Sequence, residues 1–275
     1  MKALVYTGTQ MSEIRDVDMP VAGDNQVLVD LTFCGICGSD MHAWHGHDER
    51  RVPPLVLGHE AVGIVETGAL AGKRVAINPL MTCGDCDCCN RGDEHLCPSR
   101  ELIGMRVPGA FAEKLAIDSG NLTVIDDDLP FAEAALAEPL ACSVHAVRLA
   151  RQLAGDHRDA AIVVLGGGAI GLLAALVFEA YGYGNIQIAE TNALRREMLE
   201  KIGIMRAPMI RFVKRLIPAG LILSLMQSDQ GRRVVRQARL CGQAGLLFIS
   251  DCRIMNLALI RAASPCRKLI FKAPI

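Results

Sequence analysis

The chain has no uninterrupted apolar run long enough to cross a bilayer. Its longest apolar stretch, Ala160 to Phe178, is broken by Gly166, Gly167, Gly168 and Gly171, and reads as a strand, a turn and a helix. There is no internal repeat, low-complexity linker or signal-peptide pattern. Without a secretory signal, the eleven cysteines point to a reducing, cytoplasmic setting, where thiols bind metals more often than they form disulfides. Acidic residues are scarce in one region. Residues 201–275 carry 14 Lys and Arg against 2 Asp and Glu, whereas residues 1–200 carry 15 against 28. The overall charge of −1 therefore hides two parts of −13 and +12.

What is present suffices for a folded protein. The 275 residues, 51% of them hydrophobic, allow one large domain or two ordinary ones with a real core. From residue 1 to about 128, short β-type runs (KALVYT, QVLVDLTF, AVGIVET, KRVAI, FAEKLAI, NLTVI) alternate with Gly, Pro, Asp and Asn, a pattern that predicts an antiparallel, barrel-like domain. From Phe131 an alanine-rich stretch reads as helix broken at Pro139, with Glu138 flanking the start of a second helix. Residues 160–199 then read as strand, glycine turn, apolar helix, strand ending at Glu190, and helix. That is a βαβ unit, the beginning of a parallel sheet.

Two cysteine blocks carry the chemistry. Cys83, Cys86, Cys89 and Cys97 follow C-x2-C-x2-C-x7-C in a short charged loop, the spacing of a closed tetrahedral zinc site; Cys88 is the odd thiol out. A nucleic-acid-binding zinc ribbon is the rival, but Asp85, Asp87, Asp93 and Glu94 against Arg91 alone repel phosphate. This zinc is expected to be structural. The other block, CGICGSDMH at 34–42 with GHE at 58–60, mixes ligand types. Cys37, His59 and either Glu60 or Glu138 can hold a second zinc with one position open, which makes an alcohol's proton easier to lose. Ser39 and His42 follow Cys37 closely enough to pass that proton to solvent. Cys34 reads as packing, while Trp44 and His45 read either as substrate-pocket lining or as core anchors.

In the glycine turn, Gly166, Gly168 and Gly171 stand at G-x-G-x-x-G spacing between a strand and a helix. The main chain there, with Ala169 and Ile170, can face a pyrophosphate. Glu190, 19 residues beyond Gly171, can accept both ribose hydroxyls; an acid there repels a 2′-phosphate, so NAD is expected over NADP. Arg195 is placed either beside the adenine ribose or on a solvated helix face.

The motifs CGICGSDMH, LGHE, the four-cysteine loop, EPLA at 138–141 and LGGGAIG at 165–171 occur in an order that resembles the zinc-containing medium-chain dehydrogenases/reductases of the alcohol dehydrogenase superfamily. GSDMHAWHG, with a glutamate at 138, looks closest to the polyol branch, near sorbitol and threonine dehydrogenases. The resemblance implies a GroES-like β-barrel catalytic domain (1–145) and the first part of a Rossmann doubly wound parallel sheet (146–203). It implies two zinc ions per chain, NAD, oxidation of a secondary alcohol or polyol to a ketone, and a homo-oligomer, dimer or tetramer. Its zinc ligands would be Cys37, His59 and Glu60 or Glu138.

The resemblance covers about residues 1–203. Beyond Gly203 the chain turns basic and leucine-rich, an atypical tail (204–275) expected from a truncated gene or shifted reading frame, and the stretch at 239–251 only loosely resembles a later sheet strand. The alternative is a catalytically impaired zinc-binding remnant of such a dehydrogenase. The tail has the charge for nucleic acid or anionic lipid but no recognisable motif, so neither a nucleic-acid nor a membrane partner is expected.

Overall fold

A computed structural model describes residues 1–154 and 157–203. The tail reading for 204–275 lies outside the described residues. The chain divides after Pro139 into two compact units.

In the first unit, β1 (Lys2–Gly8) pairs antiparallel with β2 (Met11–Asp16) and with the two-residue β4 (Leu55–Val56). A second antiparallel sheet runs in the order β10 (Leu122–Val124), β6 (Arg74–Ile77), β5 (Glu60–Val65), β3 (Gln26–Gly35) and β9 (Lys114–Asp118). A bridge ties Ala3 of β1 to Ala112, two residues ahead of β9, giving the expected barrel-like, GroES-like unit.

Alternation explains β3 and β9. Val27 and Val29 of β3 and Leu115 and Ile117 of β9 point into one core with Val75 and Ile77, while the residues between them are less buried. β5 is buried at five of its six positions because both its faces are covered. Ala61 and Val65 join the main core, and Val62 packs with Ala76 and Ala134 on the other face. Each fully buried valine contributes roughly 1.5–3 kcal/mol.

Some elements carried no periodic signal. All six residues of β2 are exposed, so MSEIRD shows no alternation to read, and β4, β7 (Leu80–Met81) and β8 (Glu101–Leu102) are two residues each. The short helices α1 (Gly38–Trp44), α2 (Asp87–Asn90) and α3 (Phe131–Ala134) are set between strands and loops.

The expected break at Pro139 is displaced. α4 (Ala137–Ala154) has already begun at Ala137, so Glu138 and Pro139 both lie in its first turn and the interruption falls at residues 135–136. The N–H groups of a first turn have no partner within the helix, so a proline there costs no hydrogen bond.

The second unit has the βαβ order read from the sequence. β11 (Ile162–Leu165) pairs parallel with β12 (Ile186–Ala189), joined by α5 (Ala169–Ala180) and followed by α6 (Ala193–Ile202). Val164, Phe178, Ile188 and Leu199 form its core with Val147 and Ala150 of α4. α6 opens on Asn192, whose side chain accepts from the Arg195 N–H, and closes on Gly203 at φ +81°, the left-handed cap that glycine adopts freely. This is the first part of a Rossmann sheet. Among the described residues no helix is long and apolar enough to cross a membrane.

Candidate metal centres and cofactor turn

The register of β3 against β5 builds the first centre. Gly35 lies opposite Glu60, so the residues just after β3 and just before β5 are brought together. The ligand atoms of Cys37, His59 and Glu60 consequently lie within 4.8 Å of one another. Gly35 is needed for this arrangement, because a Cβ there would stand 2.2 Å from Glu60 Oε2. A thiol, an imidazole and a carboxylate at this spacing are the donor set of an open zinc site. Glu138 falls outside this group, but its charge reaches Glu60; burial first, and then Glu138, hold the Glu60 carboxyl above its ordinary pKa.

Cys37 is also the N-cap of α1. Its thiol accepts from the Ser39 N–H at 3.4 Å, and its own N–H donates to Asp40 Oδ2 at 3.0 Å. Asp40 is buried, and its other oxygen, Oδ1, accepts from the Gly58 N–H at 3.3 Å and stands 3.5 Å from His59 Nδ1. That last contact is electrostatic, since Nδ1 meets no hydrogen-bonding partner at good geometry. Burial works against a charged His59, yet Asp40 and Cys37 more than offset it and hold the imidazole's pKa up at about 10. The Asp40 carboxylate and the Cys37 thiol beside the imidazole suit a cation there, and the zinc reading fits them.

Ser39 and His42 lie on α1, both half-buried. Trp44 packs against Tyr6, Ala43, Leu55 and Leu57 and also lines a cavity with Ile36, Asp40 and Met41, so it has a part in both alternatives, and it meets the exposed His45 edge-on at 4.9 Å. Cys34 packs beside the main core, where burial pushes its thiol up to about 12.

The four-cysteine loop closes on itself. Sγ–Sγ distances are 3.5 Å for Cys86–Cys89, 3.5 Å for Cys83–Cys97 and 3.9 Å for Cys83–Cys89. Sulfurs bound tetrahedrally at about 2.3 Å from zinc stand about 3.8 Å apart, so these thiols fit a zinc ion with little adjustment. The Cys89 N–H lowers the Cys86 thiol to about 7. Cys88 stays outside the four, with the Arg91 guanidinium 3.7 Å from its sulfur.

The glycine turn in the second unit is tightly packed. Gly166 sits at φ +98°, Gly168 caps α5, and a Cβ on Gly171 would meet the Gly166 carbonyl oxygen at 2.0 Å, so only glycine lets α5 approach β11 this closely. Ala169 and Ile170 form the first turn of α5. Glu190 follows β12, its carboxylate accepting from the Gly167 N–H at 2.8 Å and the Asn192 N–H at 2.7 Å. Although burial opposes its charge, these two donors and Arg195, 3.6 Å away, hold its pKa below the ordinary value.

Residues 23–127 match the alcohol dehydrogenase GroES-like domain. The chain is 35% identical over 211 residues to 2-dehydro-3-deoxy-L-galactonate 5-dehydrogenase of Pseudoalteromonas atlantica, covering 74% of this chain and 60% of that one. It belongs to the zinc-containing medium-chain dehydrogenases/reductases. Among solved members, a Sinorhizobium meliloti 1021 protein described as a zinc-binding dehydrogenase bound to NADP superposes with a TM-score of 0.65 at 32% identity, covering 73% of this chain and 59% of that one. Galactitol-1-phosphate dehydrogenase of Escherichia coli superposes with a TM-score of 0.68 at 26% identity, covering 78% and 65%. This family member therefore spans less than two thirds of the length of these relatives.

Two residues of this medium-chain dehydrogenase/reductase that the motifs did not single out are Asp40 and Arg51. Asp40 sits inside the CGICGSDMH block, where an acid three residues past a helix start reads as ordinary capping. Arg51 sits in the charged run DERR, which reads as a solvated loop, yet it is 2% exposed.

Proposed function

We propose that this chain is a zinc- and nicotinamide-dependent dehydrogenase that oxidises a secondary alcohol of a polyol or sugar acid to a ketone. The gathering of Cys37, His59 and Glu60 at one point, with Ser39 and His42 on the helix that follows Cys37, carries the reading. In it, these three residues hold the catalytic zinc, with Glu138 as the alternative carboxylate, and Cys83, Cys86, Cys89 and Cys97 hold a structural zinc. Bound zinc would polarise the substrate hydroxyl, and the nicotinamide would take up the hydride.

The chain's own residues handle the proton. Ser39 accepts it from the substrate hydroxyl, and His42, three residues on along the same helix, receives a proton from Ser39 and releases it to solvent. The products are a ketone, the reduced cofactor and one proton. The main chain from Gly166 to Gly171 holds the pyrophosphate, and the Glu190 carboxylate holds the ribose hydroxyls, which favours NAD over NADP. The names of two relatives support a polyhydroxylated substrate, one being a deoxygalactonate oxidised at carbon 5 and the other galactitol 1-phosphate.

A second reading, a zinc-binding protein without turnover, needs only the two donor sets, which assemble without any cofactor. The two separate on zinc-loaded protein given NAD or NADP and a panel of polyols, sugar acids and simple secondary alcohols. Reduction of cofactor with at least one of them supports the dehydrogenase. No reduction at full zinc loading overturns it, and tight NAD binding by calorimetry overturns the second reading.

A further inference from the structure

Arg51 is a charged side chain that the proposed chemistry does not use, yet it is 2% exposed. Its guanidinium is spent on three separate partners. Nη1 meets Asp48 Oδ2 at 2.5 Å, Nε donates to the Gly104 carbonyl oxygen at 2.8 Å, and Nη2 donates to Ser39 Oγ at 3.2 Å. The first contact pairs the charge with a carboxylate that Arg50 shares, and the second ties the side chain to a loop packed against the Gly58 backbone, next to His59, where a Cβ on Gly104 would stand 2.8 Å from the Gly58 oxygen. The third reaches the hydroxyl that begins the proposed relay.

We infer that Arg51 is a positioning residue that fixes the direction in which Ser39 passes a proton. A guanidinium only donates, so the bond to Ser39 must occupy one of the two lone pairs on Oγ, and the Ser39 O–H cannot point back at Arg51. One lone pair and one hydrogen remain. Ser39 is thereby held ready to take the substrate's proton on one side while giving its own on the other, and a buried, three-fold anchored guanidinium cannot drift out of that role as a surface arginine would. Each transfer moves one proton and changes no oxidation state. This rests on the proposed relay through Ser39 and adds to it the group that orients the hydroxyl.

The test compares Arg51→Met, Arg51→Lys, Ser39→Ala and the double variant Ser39→Ala/Arg51→Met as full-length, zinc-loaded protein, with thermal melts alongside. Arg51→Met is expected to lower kcat roughly 10- to 100-fold, less than the loss of a proton-transfer group itself costs, with KM little changed. In the Ser39→Ala background the same change is expected to cost less than about threefold, because the two act as one unit. Arg51→Lys keeps the charge without the fork and should leave kcat low. Independent, multiplying losses in the double variant would overturn the inference.

A second readout needs no turnover. Three-bond couplings on serine-labelled protein should show one Ser39 rotamer in the wild type and an average of several in Arg51→Lys, and unchanged couplings would overturn the inference. If the wild-type chain reduces no cofactor, the dehydrogenase reading fails while these couplings still decide the role of Arg51.

Discussion

The main-chain N–H of Gly167 donates to Glu190 Oε2 at 2.8 Å, tying the glycine turn to the acid after the next strand. The residue proposed to recognise the ribose therefore also holds the turn proposed to cradle the pyrophosphate.

Replacing Glu190 should disturb both. Glu190→Gln is expected to weaken NAD binding about tenfold, the loss of one or two charge-assisted hydrogen bonds, and to narrow the preference for NAD over NADP. Calorimetric affinities for the two cofactors check this.

The four-thiol loop should behave as a unit that excludes one of its neighbours. Cys97→Ser, at the fully buried member of the four thiols, is expected to release one zinc per chain and lower the melting temperature. Cys88→Ser should change neither. Metal analysis and thermal melts on the two variants make the comparison.

The two glutamates should separate. Glu60→Gln is expected to lose the zinc held with Cys37 and His59, whereas Glu138→Gln, which removes a repelling charge, should retain it. Zinc retention by Glu60→Gln together with zinc loss by Glu138→Gln would reverse the assignment.

Asp40→Asn should loosen the imidazole of His59 without removing any ligand. Loss of an outer partner of this kind typically costs 10- to 100-fold in metal affinity, and competition with a chelator would measure it.

Asp48 should shape the acid limb of stability. The Arg50 guanidinium hydrogen-bonded to it, with Arg51 beside it, outweighs burial and holds its carboxyl well below the usual carboxylate range. A folded-state pKa below the unfolded value means the stabilisation is fully present above about pH 4 and is lost as pH falls through the folded value. Asp48→Asn, which leaves Arg51 buried and without its charge partner, should cost about 3–5 kcal/mol at neutral pH and flatten the dependence below pH 4. Urea melts between pH 3 and 7 test both.

Residues whose spacing itself is the signal were readable in advance. Cys83, Cys86, Cys89 and Cys97 stand at a spacing that lets one short loop surround a single zinc ion, and Gly166 to Gly171 fell between a buried strand and an apolar helix. Cys37 and His59 are separated by 21 intervening residues, and only the pairing of β3 with β5 makes them neighbours. Alternation exposed β3 and β9 but not β2, whose six residues all face solvent. Pro139 marked a helix boundary correctly to within a few residues, since a first helical turn tolerates proline as well as a break does. Arg51 was hidden for a different reason. Nothing local distinguishes a buried arginine from its exposed neighbour Arg50, because the carbonyl oxygen that its Nε reaches belongs to Gly104, 53 residues away.

Cys37 caps α1 with the same sulfur that lies beside His59 and Glu60. Anything that alkylates or oxidises this atom would release the Ser39 N–H and remove a proposed zinc ligand in a single event. Such damage leaves no half-working centre behind, so a population of treated molecules should divide into intact and silent chains rather than slow down together.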